Sequence, residues 1–334
     1  MTATAPPEEY DVVGIGNALV DVLTHEDDAF IEANGLVKAA MTLIDTERAE
    51  SLYAAMGRGI EVSGGSAANT IAGIASFGGR AAYIGRVADD QLGAVFGHDL
   101  RATGAVFRSL PASGGPPTGR CLIIVTPDAE RTMNTYLGAS EFLGPDDVDE
   151  ALIAAAHVTY LEGYLFDRPE AQEAYWKASR IAHGAGRRVS LTLSDTFCVE
   201  RHKQAWRALV ADQVDILFAN EHEAMTLYEV DTVEDVLQHV GADVELAAIT
   251  RGPKGSLVVR DGEIVEVAAH PVHEVVDTTA AGDLYAAGFL FGFTHDRSME
   301  ACGRLGSVAA SAVLGHTGAR PGLSLAQLAG SLHL

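Results

Sequence analysis

HVTYLE (His157–Glu162), RVSLTL (Arg188–Leu193), VDILFA (Val214–Ala219) and LAAIT (Leu246–Thr250) are short apolar, β-branched runs that recur along one stretch of the chain. Runs of this length and composition read as strands buried on both faces. Between them stand segments of helical character, Pro169–His183, His202–Asp212, Glu221–Tyr228 and Thr232–Val240. Strands that alternate with helices are joined by crossovers, which lay neighbouring strands parallel. The expected fold class is α/β, a doubly wound and mostly parallel sheet.

The alternation continues outward. YDVVGIG (Tyr10–Gly16) reads as a buried strand entering a turn, AAYIG (Ala81–Gly85) as another strand, and Asp89–Thr103 as a helix. SGGSAANTIAGIASFGG (Ser63–Gly79) is a glycine-rich turn, a helix of very small residues and a glycine stop. Small side chains let such a helix lie close to a sheet or a ligand. Two regions break the rhythm. Ala18–Asp45 is mixed sequence, and Arg120–Leu137, which overlaps the strand-like GRCLIIVT (Gly119–Thr126), reads as a strand, the turn Pro127-Asp128-Ala129-Glu130 and a second strand. Together, about 18–45 and 119–138 are expected to form a small β-rich lid inserted in a single domain that spans 1–334. No internal repeat or low-complexity tract interrupts the chain.

Composition narrows the function classes. The chain of 334 residues is 48% hydrophobic and 21% charged, which is ordinary for a folded globular protein. Its 46 acidic and 23 basic residues give a formal charge of −23, with no Lys/Arg cluster to follow a nucleic-acid backbone. Nucleic-acid polymers are therefore not expected partners, and an anionic ligand must be held by dipoles, a metal ion and a few basic groups. Cys121, Cys198 and Cys302 are too far apart for a CxxC site and odd in number, as befits buried thiols in a reducing compartment. The start MTATAPPEEY has neither the basic nor the apolar part of a signal peptide, and no apolar run approaches the ~18 residues of a membrane span. A cytoplasmic protein without a membrane partner is expected. The histidines show no HExxH spacing, and no GxSxG elbow supports a serine hydrolase.

The segment Asp277-Thr278-Thr279-Ala280-Ala281-Gly282-Asp283 stands directly before the apolar helix-like run Leu284–Phe293. A Gly/Ala-rich turn that opens a helix leaves free N–H groups and the positive end of the dipole aimed at whatever docks there, which suits a phosphate or a developing negative charge. Asp283 then stands where a carboxylate can take a proton from a substrate hydroxyl. Read without that chemistry, Asp277, Thr278 and Thr279 simply cap a core helix. Gly14 and Gly16 follow a strand as in a dinucleotide fingerprint, but the third glycine position is Leu19, and no GxxxxGK[ST] loop occurs.

In these residues the chain resembles the ribokinase-like, PfkB-type carbohydrate kinases, a family that includes ribokinase and adenosine kinase; the resemblance runs from about Tyr10 to Arg320. The DTTAAGD segment is similar to the family's C-terminal signature DTxGAGD. The resemblance makes Asp283 the catalytic base and Ala280, Ala281 and Gly282 the anion hole, with alanine at 280 where many members have glycine. It assigns Asn17 and Asp21 of GNALVD, and Gly65, Ser66 and Asn69 of GGSAAN, to the sugar. Asn220 and Glu223 match the NxxE motif, which implies Mg²⁺ held by Glu223 through water. Thr250, Gly252 and Gly255 of TRGPKG, with Thr279, are implied to hold ATP, and Asp277 and Thr279 to ligate a monovalent cation such as K⁺. By themselves, Asn220 and Glu223 read as a helix N-terminus and TRGPKG as a turn.

Within the family, ERTMNTYLGA (Glu130–Ala139), EGY (Glu162–Tyr164) and the Leu193-Ser194 pair followed by Phe197 are similar to the adenosine-kinase-like members. In that likeness Tyr164 and Phe197 lie against a purine, and Met41 and Met133 add apolar surface. The implied reaction is ATP-dependent phosphorylation of a ribose-type hydroxyl, with adenosine as acceptor. A free-sugar kinase acting on ribose, fructose or a keto-deoxy sugar acid, and a non-catalytic nucleoside or sugar sensor, remain the alternatives. The partner is a small molecule, and the chain reads as a monomer or a homodimer.

Overall fold

The computed structural model describes residues 10–128, 130–315 and 318–332. Its strands are β1 (Tyr10–Ile15), β2 (Leu19–His25), β3 (Met41–Leu43), β4 (Ile60–Gly64), β5 (Ala81–Ile84), β6 (Val106–Phe107) and β7 (Gly119–Val125). They continue with β8 (Arg131–Tyr136), β9 (Ala156–Glu162), β10 (Arg188–Thr192), β11 (Ile216–Asn220), β12 (Leu246–Thr250), β13 (Ser256–Arg260) and β14 (Glu263–Val267). Nine of them form one sheet in the order β14-β13-β12-β11-β10-β9-β1-β5-β6. All pairings from β12 to β6 are parallel, while β13 and β14 extend the edge antiparallel. The four strands from which the fold was read, β9 to β12, lie side by side in chain order, as a doubly wound sheet requires.

Alternation along each strand explains why these strands look apolar throughout. In β1, Val12 enters one core cluster while Val13 and Ile15 enter the other; in β11, Phe218 enters the first and Leu217 the second. Each face is covered by helices, so both sets of side chains are buried. The helix Ser66–Ser76 and the pair Ala281–Thr294 and Met299–Leu314 cover one face, and Pro169–Gly184 with Lys203–Gln213 the other. The contacts on the first face are very close. A Cβ on Gly73 would stand 2.7 Å from Ala287 Cβ, and one on Gly288 would stand 2.3 Å from the Leu305 carbonyl oxygen. The small residues of Ser63–Gly79 therefore seat that helix directly on the one that follows the DTTAAGD segment.

The other five strands form a smaller sheet, β3-β8-β7-β2-β4. Val20, Val22, Leu122 and Ile124 on one face pack into the main core with Ile31 and Leu52, from the helices Asp28–Ala33 and Thr46–Ala55. The alternate residues Asp21, Cys121, Ile123 and Met133 face a cavity. This sheet takes β4 from Ile60–Gly64, outside the two excursions in which the sequence shows a break of rhythm. In the turn between β7 and β8 the Thr126 amide donates to the Glu130 carbonyl at 3.0 Å, while Ala129 lies outside the described residues. Cys121, Cys198 and Cys302 are free and buried, and burial pushes each thiol up to about 12. Among the described residues no helix is long and apolar enough to cross a membrane.

Candidate active site

A cavity of about 750 Å³ opens between the smaller sheet and the carboxyl edge of the main one. Glu162, Thr192, Asn220 and Thr250, the last residues of β9 to β12, all line it. In open α/β sheets this edge is where ligands bind, because the loops that leave the strands diverge there and the following helices point their N-termini at the gap.

Asp283 sits in the first turn of the helix Ala281–Thr294. Its Oδ1 accepts from Ser66 Oγ at 2.6 Å and its Oδ2 from Asn69 Nδ2 at 3.0 Å, while Thr70 Oγ1 donates to the Asp283 carbonyl at 3.1 Å. Burial raises the Asp283 carboxyl above its ordinary range, against the two side-chain hydrogen bonds and the Arg320 charge. Ala280, at the N-cap, has φ 61° and no side chain caps this helix. The Ala281 amide donates to the Thr278 carbonyl at 3.3 Å, and the uncapped start leaves the next amides, of Gly282 and Asp283, without a side-chain acceptor beside the cavity that Ala280, Gly282 and Asp283 line. Ala281 is part of the same turn but not of the lining. Asp283 faces the cavity, and among the described residues no side chain caps the helix start.

Asn17, Asp21, Gly65, Ser66 and Asn69 meet on the other side of Asp283, all lining the cavity. A Cβ on Gly64 would lie 2.4 Å from Asp21 Oδ1, and one on Gly65, at φ 98°, would lie 2.2 Å from the Asn17 carbonyl oxygen. Glycines are needed there because the backbone passes directly against these groups. Asp21 is pushed up to about 6 by burial, which outweighs the pull of Arg320 and Arg131. Asn69 Oδ1 is buried with no partner and is free to accept from a ligand hydroxyl.

Two residues to which the sequence assigns no role in the site hold this arrangement together. Glu162, 1% exposed, accepts from the Asn17 amide at 3.1 Å and Asn17 Nδ2 at 2.9 Å through Oε1, and from the Ala67 amide at 2.7 Å through Oε2. One carboxylate thus ties the Gly16–Asn17 turn to the start of the helix that presents Ser66 and Asn69. Burial pushes Glu162 up to about 7 despite those three donors. Arg320 donates to the Ser63 carbonyl at 2.9 Å and the Ala68 carbonyl at 2.9 Å, and so braces the same glycine turn from the far end of the chain. HVTYLE and EGY both include Glu162 without assigning it a role, and nothing local marks Arg320.

The nucleotide-side expectations divide. Asn220, Glu223, Thr250 and Thr279 line the cavity. Gly252 and Gly255 do not: they close the turn between β12 and β13, and the Gly255 position is filled by the Val267 carbonyl, 2.0 Å from where a Cβ would stand. Asn220 and Glu223 form a capping box, in which the Glu223 amide donates to Asn220 Oδ1 at 2.9 Å and the Asn220 amide to Glu223 Oε2 at 2.9 Å. Burial pushes Glu223 up to about 7. Among the described residues no group of His, Cys, Asp and Glu could hold a metal ion unaided. Glu223, with Asp195 also on the lining, fits Mg²⁺, which dehydrates reluctantly and is commonly bound through one or two carboxylates, waters and substrate phosphates. Asp277 is 8% exposed; it accepts from the Thr279 amide at 2.9 Å and the Gly318 amide at 3.1 Å and pairs with Arg131 of β8. Burial alone would raise its carboxyl, but these donors hold it below the usual value. The cation that Asp277 faces is thus the protein's own Arg131.

At the opposite end Tyr164 and Phe197 form an aromatic corner, ring centroids 6.2 Å apart at 42°. Met41 and Met133, paired in register on β3 and β8, face it across the cavity. Rings and thioethers thus gather at this end, with the charged Asp167 and Arg201 beside them, and hydroxyl-binding groups at the Asp283 end, which suits a molecule with a flat ring on one side and hydroxyls on the other.

An open α/β sheet with an uncapped helix start beside a buried carboxylate, roofed by a second sheet, defines a phosphotransferase of small molecules. Residues 31–325 match the pfkB family carbohydrate kinases, and the chain belongs to that family. It is 53% identical to adenosine kinase from Sinorhizobium meliloti, whose crystal structure superposes with a TM-score of 0.89 over 97% of this chain and 99% of that one. A probable sugar kinase from Rhizobium etli is 49% identical, with a TM-score of 0.90 over 98% and 99% of the two chains. The 5-dehydro-2-deoxygluconokinase of Bacillus licheniformis is 26% identical over 92% of this chain and 90% of its own.

Proposed function

We propose that this PfkB-family kinase transfers the γ-phosphoryl group of ATP to the ribose hydroxyl of adenosine, giving AMP and ADP. The observation that carries the reading is the Asp283 carboxylate, held by Ser66 and Asn69 beside an uncapped helix start. Asp283 accepts the proton of the attacking hydroxyl as its oxygen bonds to the γ-phosphorus and the bond to the ADP oxygen breaks. The uncapped amides of Gly282 and Asp283, in the turn that Ala280 and Ala281 open, stabilise the charge on the phosphoryl oxygens in flight. Asp21 and Asn69 hold the sugar hydroxyls so that the attacking oxygen is in line. Thr250, Asn220 and Glu223 line the nucleotide end, where Glu223, through water, would hold the Mg²⁺ that neutralises phosphate charge. The smaller sheet excludes water, which otherwise takes the phosphoryl group. The enzyme works in the cytoplasm, where its three thiols stay reduced.

The aromatic corner and the two methionines favour a nucleoside over a bare sugar. The S. meliloti relative is an adenosine kinase, and the more distant B. licheniformis one acts on a sugar acid. ADP release from purified protein with ATP·Mg²⁺ and a panel of adenosine, other nucleosides, ribose and ketohexoses tests the reading. Adenosine is expected to give the highest kcat/KM. Turnover on a free sugar with none on adenosine would replace this reading by that of a sugar kinase, and ligand binding without any turnover by that of a sensor.

A further inference from the structure

One polar pair on the cavity wall has no part in the phosphoryl transfer described above. Asp167 and Arg201 line the cavity beside Tyr164 and Phe197. Arg201 Nη2 lies 2.9 Å from Asp167 Oδ2, His202 Nε2 lies 3.1 Å from Asp167 Oδ1, and Arg201 Cζ stands 4.9 Å from the centre of the Phe197 ring. The carboxylate is thus fixed from behind by histidine, and the guanidinium is fixed flat against the aromatic wall. Side-chain exposures of 42% for Arg201 and 31% for Asp167 leave both groups accessible on the cavity that they line. An exposed ion pair of this kind adds little to stability.

An aromatic wall binds any flat ring and cannot tell one purine from another, whereas a site that hydrogen-bonds a polar edge rejects the analogue that lacks it. Adenine presents an amino donor, N6, next to a ring acceptor, N7. An acceptor fixed beside a donor is the complement of that edge. We propose that Asp167 and Arg201 read the edge of the acceptor's purine, Asp167 accepting from the 6-amino group and Arg201 donating to the neighbouring ring nitrogen. Asp167 thereby selects a 6-amino purine nucleoside over a 6-oxo one, while Arg201 anchors the ring nitrogen that both carry. With a 6-oxo base a carbonyl oxygen faces the Asp167 carboxylate, acceptor against acceptor, and both are desolvated without a proton between them. The inference rests on the nucleoside-kinase reading above.

If the pair only anchored the short helix Thr196–Arg201 to the turn after β9, its loss would affect every acceptor alike. Selectivity is therefore the informative quantity. kcat/KM is measured for adenosine, inosine, 7-deazaadenosine and ribose with wild type, Asp167→Asn and Arg201→Met, the last keeping an apolar stem over Phe197; folding is followed by circular dichroism. Asp167→Asn is expected to lower the adenosine-to-inosine ratio, and Arg201→Met the ratio of adenosine to 7-deazaadenosine, which lacks the ring acceptor, each by at least ~10-fold, as for the loss of one charge-assisted hydrogen bond, with the loss falling on KM for adenosine. An unchanged ratio in the folded variant that tests it, with wild type active on adenosine, overturns the role of that residue and leaves the nucleoside reading intact. Wild-type turnover on ribose and on no nucleoside removes that reading and this proposal with it. If Asp167→Asn does not fold, Asp167→Ser takes its place in the adenosine-to-inosine comparison.

Discussion

Ser66 and Asn69 both donate to Asp283, so its carboxylate is aimed as well as buried. Replacing it by asparagine keeps the shape and removes the proton acceptor. Asp283→Asn is expected to lower kcat by at least ~10²-fold with folding retained, and near-normal turnover in the folded variant would strip Asp283 of its role. Because burial raises its carboxyl, a pH profile of kcat/KM should fall on the acid side at a pH above that of an ordinary aspartate. Glu162 acts one layer further out. Glutamine there must turn an NH₂ group toward either the Ala67 or the Asn17 amide, donor against donor. Glu162→Gln is expected to cost about 1–3 kcal/mol of stability and to lower kcat as the Asn17 turn and the Ser66 helix lose their mutual register. Unaltered urea unfolding and kcat in that variant would show that the tie is dispensable.

At the scale of elements, the site depends on a helix start that has no side-chain cap. Ala280 holds the left-handed conformation at φ 61°, which costs an L-residue with a Cβ roughly 1–2 kcal/mol. Glycine removes that strain but adds freedom to the unfolded chain. The net expectation for Ala280→Gly is a gain of about 0.5–1 kcal/mol, read from the urea midpoint; a loss would mean that the alanine methyl packs in a way its backbone does not suggest. The same helix is held by close backbone approach at Gly73 and Gly288, where a Cβ would stand 2.7 Å from Ala287 Cβ and 2.3 Å from the Leu305 carbonyl oxygen. The small residues of the SGGSAAN and LYAAGFLFGF runs therefore do positional work. They bring Ser66 within reach of Asp283, 217 residues away.

Across the whole molecule, Asp21 at about 6 and Glu162 and Glu223 at about 7 all have carboxyls raised by burial. Their unfolded values lie near 3.8 and 4.5, so between those values and 7 the native state binds more protons than the unfolded one. Stability contributed by these groups is present below the unfolded values and lost as pH rises through the folded ones. The urea midpoint is expected to fall from pH 5.5 to 7.5 at constant ionic strength, and added salt should restore part of it by screening the charge of −23. A midpoint that rises over that interval would mean these carboxylates are paired better than their surroundings indicate. Much of this was legible in the chain: the alternation of HVTYLE, RVSLTL, VDILFA and LAAIT marked four adjacent strands, and DTTAAGD before an apolar run marked an open helix start. TRGPKG read by itself as a turn and by resemblance as a nucleotide loop; the turn is there, with Thr250 on the cavity and Gly252 and Gly255 outside it. β4 as a strand, the role of Arg320 and the pairing of Glu162 with Asn17 and Ala67 carried no local sign. Sequence by itself determined the layers of the fold and the chemistry of its motifs, because periodicity and helix-start composition are properties of contiguous residues. Tertiary structure alone decided that Glu162 ties Asn17 to Ala67, that Arg131 occupies Asp277 and that Arg201 lies on Phe197 beside Asp167. Apart from that last stack, these hydrogen bonds and ion pairs join residues brought together only when separate layers pack, and no run of neighbouring residues encodes them.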